Sequence, residues 1–89
     1  MTCAEFRHLR DTIALETYRA RWPILKQRET ELLATIRQFE ATENAKVIKD
    51  AKFDRTGLYY RLQDVQGELL WMELDAMVRK ANLEQREAA

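Results

Sequence analysis

Leu58-Tyr59-Tyr60-Arg61-Leu62-Gln63-Asp64-Val65-Gln66-Gly67-Glu68-Leu69-Leu70-Trp71-Met72-Glu73-Leu74-Asp75-Ala76-Met77-Val78-Arg79 reads as helix, and its spacing decides the fold. Leu58, Leu62, Val65, Leu69, Met72, Ala76 and Leu83 recur at alternating steps of four and three, with Arg79 as the one gap. That rhythm is the seam of a helix packed lengthwise on another helix. The segment extends to about Arg86. Just before it, Asp54-Arg55-Thr56-Gly57 combines capping side chains with a glycine, a turn signal.

Upstream of the turn, Leu25, Leu32, Ile36 and Phe39 form a second stripe, with polar Thr30, Glu31, Arg37 and Gln38 on the far side. If the chain reverses at Asp54, facing residues have numbers adding to about 108, so Leu25 meets Leu83 and Ile36 meets Met72. The spacing predicts an antiparallel helical hairpin of about 24–50 and 57–86, with the first arm ending somewhere between Thr42 and Lys52. Further out, Thr2-Cys3-Ala4-Glu5 is a capping box that opens a helix. Phe6, Leu9, Ile13, Ala20 and Ile24 lie on one side of that helix and Leu15, Tyr18 and Trp22 on the other. Pro23 lacks the N–H that an interior helical residue donates, so the helix is expected to end or kink at Arg21-Trp22. The expected whole is a single all-α domain over residues 1–89: the hairpin with an additional N-terminal helix, forming a three-helix bundle or a dimeric helical bundle.

The C-terminal helix has a second apolar side. On a helical wheel Tyr60, Gly67, Trp71, Leu74 and Val78 fall opposite the seam, and Leu70 and Met77 widen the patch. Left bare, it would reach the size that monomers rarely expose. The expectation is that the N-terminal helix, a second copy of the chain or another protein covers it. Gly67, unfavourable inside a helix, suggests close approach of a backbone or of the Trp71 ring.

Composition narrows the functions. Two glycines and one proline in 89 residues cannot supply the turns of a β-sandwich or barrel. The longest apolar run, Leu69-Leu70-Trp71-Met72, is far below the roughly 20 residues of a membrane span. The N-terminal residues lack the pattern of a secretory signal and one cysteine cannot build a disulfide framework, so a cytoplasmic protein is expected. There is no serine, and Cys3 and His8 are single residues off a common helical face, so no nucleophile site or tetrahedral zinc site can be assembled. No enzyme, no metal and no cofactor are expected.

Net charge is zero but blocked: residues 1–28 and 46–61 each carry net +3, and 29–45 and 62–89 each carry net −3. The function expected is a small protein–protein interaction module, a chaperone, adaptor or inhibitor of a larger assembly. It would act through Tyr60, Gly67, Trp71, Leu74, Met77 and Val78, with Tyr18 and Trp22 as further anchors, and would form a homodimer. The alternative is a nucleic-acid-associated regulator using Lys46, Lys49, Lys52, Arg55, Tyr59 and Arg61 at the hairpin tip. An overall pI near 6.6 weighs against that second reading.

Overall fold

The computed structural model describes residues 1–88 and is all-helical among them: α1 (Cys3–Thr42), α2 (Ala45–Lys52) and α3 (Leu58–Ala88). Thr2 caps α1 by accepting from the Glu5 backbone N–H at 3.1 Å. Five threonines inside α1 turn their hydroxyls onto the carbonyl four residues back, so these β-branched residues sit in a helix with no polar group left over. The helix stops at Thr42. Asn44 then caps α2, taking the Val47 N–H at 2.9 Å. After α2, the Thr56 backbone N–H and hydroxyl both donate to Asp54, and these bonds hold the Asp54 carboxyl below the usual carboxylate range. The expected turn at Asp54–Gly57 is therefore present.

The N-terminal arm departs from expectation. Pro23 neither ends α1 nor detaches an additional N-terminal helix; α1 runs through it for 40 residues. The three-helix bundle with a folded-back first helix is therefore not formed. The reason is tertiary. Trp22 and Leu25 on either side of the proline are both held in the seam, and the proline ring itself is exposed. Packing along the whole length outweighs one lost backbone bond, which costs about 3 kcal/mol.

α1 and α3 lie antiparallel, and the seam is continuous. Along α1 it runs Asp11, Leu15, Tyr18, Trp22, Leu25, Glu29, Leu32, Ile36 and Phe39, again in steps of four and three, every one buried or half-buried. The α3 stripe faces it as expected, and Arg79 and Arg86 continue the rhythm. Leu15, Leu25, Ile36, Leu69 and Ala76 are the buried apolar core, each larger side chain worth about 1.5–3 kcal/mol.

The register differs from the expected one. Glu40 meets Tyr59, Trp22 meets Glu73 and Asp11 meets Arg86, pairs whose numbers add to 99, 95 and 97. Because α2 fills the bend, the chain reverses near residue 48 instead of at Asp54. The molecule measures 60 × 20 × 19 Å, and its radius of gyration is 18.9 Å where a compact chain of this length would have about 12 Å.

Candidate interaction surface

A flat pair of helices buries one stripe from each partner and leaves the opposite sides open. On α3 that side carries Tyr60, Leu70, Trp71, Leu74, Met77 and Val78, all exposed, with Trp71 at 75%. Gly67 sits among them, and a Cβ added there would meet nothing within 4 Å. Nothing inside the chain therefore requires a glycine, and the Trp71 ring does not lie over it. The expectation that α3 is covered on both flanks is not met within one chain: the N-terminal arm packs on the seam.

Two expected anchors sit on α1, at the seam. Tyr18 and Trp22 are half-buried in the seam, and Tyr18 lines one cavity with Met77 of the α3 face. The Trp22 indole N–H donates to Glu73 at 2.9 Å and the Lys26 ammonium lies 5.6 Å from the ring centre. Trp22 thereby orients the hairpin.

α1 carries a matching open face. Phe6, Leu9, Ile13 and Ile24 are exposed, Ile13 at 52%, and with Ala20 they form a stripe about 180° from the α1 seam. The two-sidedness of this segment was legible in the sequence; which side would be left open was not, because that depends on which side meets α3.

At the open end of the hairpin Asp11 has no exposed surface. Arg79 donates to its Oδ1 at 2.9 Å, Arg10 approaches at 3.4 Å, and Arg86 Nη1 stands 3.0 Å from Oδ2. The Arg86 N–H is not aimed at that oxygen, so both atoms lack a hydrogen bond. Desolvation pushes the Asp11 carboxyl up, but the bond from Arg79 and the charges of Arg10 and Arg86 outweigh it and hold the group below its ordinary value. The bonds to Asp75 and Asp11 raise Arg79 in turn. The arginines neutralise the carboxylate, and the cluster fixes the end of the seam although Oδ2 and the Arg86 N–H stay without a hydrogen bond.

The hairpin tip is partly engaged. The Tyr59 hydroxyl donates to Glu40 at 2.6 Å, its ring meets Phe39 edge-on at 6.4 Å, and Lys52 lies 5.6 Å from the ring centre. Burial, with the bond to Glu40, pushes the Tyr59 phenol up to about 12. Lys46, Lys49, Arg55 and Arg61 are exposed. Among the described residues no cluster of metal-ligating side chains forms, and no helix is long and apolar enough to cross a membrane. No protein-family model, curated protein or solved structure matches the chain.

Proposed function

We propose that this protein is a helical interaction module, a chaperone, adaptor or inhibitor of a larger assembly, that binds protein through the outer face of α3 and also associates with itself. The observation that carries this reading is the alignment of Tyr60, Trp71, Leu74 and Val78 on one face, each of them exposed. Large aromatics in such a position dominate interface energies. Area points the same way. The chain exposes 7064 Å², against about 5,500 Å² for a globular protein of its mass. The surplus is about twice the roughly 800 Å² that one partner contributes to a standard protein–protein interface.

The role is non-catalytic on this reading, and the single exposed Cys3 suits a reducing compartment. The nucleic-acid alternative is less well supported, since Tyr59 and Lys52 are spent on each other and on Glu40. It predicts binding of labelled DNA or RNA at about 50 mM salt that is lost at about 200 mM; the interaction reading predicts none at either.

The test is a photo-crosslinking residue placed at Trp71 or, as a control, at exposed Gln66 on the neighbouring polar strip. Discrete covalent protein adducts at position 71 and not at 66 are expected. Equal or absent adducts at the two positions would remove the reading.

A further inference from the structure

We propose that the outer face of α3 is covered by the outer face of α1 from a second copy of this chain, antiparallel, in a head-to-tail contact that repeats from copy to copy. The proposal rests on the reading of the α3 face as a protein-binding surface and names its occupant.

The two open stripes match in length and spacing. On α1, Phe6, Ile13 and Ile24 are separated by seven and eleven residues; on α3, Val78, Trp71 and Tyr60 are separated by seven and eleven in the reverse direction. Run antiparallel, one register brings all three pairs opposite each other: Phe6 with Val78, Ile13 with Trp71 and Ile24 with Tyr60. The same register sets Gly67 against Thr17, both exposed. Gly67, without a function inside the protomer, then lets two backbones approach.

Charge selects the same arrangement. Arg10 and Arg21, eleven residues apart, flank the α1 stripe on one side, more than a third exposed. Asp64 and Asp75, also eleven apart, flank the α3 stripe on the corresponding side, with Glu68 between them. In antiparallel helices corresponding flanks meet, so Arg10 comes beside Asp75 and Arg21 beside Asp64 in the register that the apolar pairs choose. Within one chain the same rails already touch at the seam, where Arg21 and Glu68 are 4.0 Å apart. Pairing α3 antiparallel with another α3 would set acid rail against acid rail, and α1 with α1 would set arginine against arginine, which is repulsive.

The geometry does not close. The seam pairs residues whose numbers add to between 89 and 99 and the outer contact residues whose numbers add to 84, so each added copy is displaced by about five to fifteen residues, about 8–22 Å. A heterologous contact with such a displacement gives an open-ended stack.

Two variants at exposed positions test this, Ile13→Asp on α1 and Trp71→Asp on α3, with circular dichroism to establish that each keeps its helices. Light scattering after size exclusion should give, for the unaltered chain, a mass that grows with concentration past two chains. Each variant alone should stay at one chain, and their equimolar mixture should stop at two, because one live α1 face and one live α3 face remain. If Ile13→Asp alone still dimerises, α3 pairs with itself and the proposal is wrong. It is also wrong if the unaltered chain stays at one chain's mass. Adducts of Trp71 to a protein of another mass would then leave the interaction reading standing, and absence of adducts would remove both. Arg21→Glu, which leaves the Asp11 cluster intact, should lower the mass reached by self-association, and Arg21→Glu, Asp64→Arg combined in one chain should restore it; failure of that rescue overturns the register.

Discussion

Asp11 carries the sharpest prediction at the scale of one residue. Its folded carboxyl titrates below the ordinary 3.8, so the stability it contributes is complete above about pH 4 and is lost as pH falls through the depressed value. Asp11→Asn leaves Arg79 and Arg86 facing a neutral group and should lower the thermal midpoint at pH 7 by several degrees. The gap between variant and unaltered chain should be constant above about pH 4 and narrow as pH falls below it, followed by circular dichroism. A gap that stays constant with pH would show that charge is not what Asp11 supplies. Asp54, whose carboxyl is also lowered, keeps its own acid limb in both proteins. The sequence offered a hint of this cluster in the gap at Arg79. An apolar count is blind to a buried carboxylate, so the partner on α1 went unread although Asp11 lies on the same rhythm as Leu15 and Trp22.

At the scale of elements, the face of each helix was legible and the fit between helices was not. Steps of four and three are a local property, and every residue of the α3 stripe is buried or half-buried. The lengthwise register is a different matter, because the observed pairing differs from the expected one by about eleven residues, which is about three turns. Sliding by that amount keeps the same faces in contact, so the stripe could not distinguish the two. Only the bend does, through Asn44 and α2. Paired cysteines distinguish them directly. With Cys3→Ala to remove the native thiol, Leu32→Cys, Val65→Cys should oxidise to an intramolecular disulfide, whereas Leu32→Cys, Ala76→Cys should not; mass spectrometry after mild oxidation reads the outcome, and the opposite result would move the point of chain reversal to Asp54. Pro23 belongs to this scale too. Its helix-breaking propensity was overridden by seam contacts on both sides, so Pro23→Ala should raise stability to urea by about 1–2 kcal/mol, the recovered helix being offset in part by a looser unfolded chain. A loss on substitution would mean the proline serves the packing of α1.

On the scale of the whole molecule, an elongated hairpin with a single shared stripe has too little interior to hide its other apolar side chains. Residues 1–28, net +3, lie along α3, whose residues from 62 onward belong to the net −3 block 62–89, so the charge blocks that were visible in the sequence are matched within the hairpin. The apolar stripes are not. One chain could reveal that α3 has two greasy sides; what meets the second side lies outside any one chain. Sedimentation velocity across a hundredfold range of protein concentration measures this most directly. The account predicts a weight-average mass that rises above the 10.6 kDa of one chain as concentration increases; a single species fixed at 10.6 kDa throughout, with the Trp71 indole fully open to a soluble quencher, would contradict it.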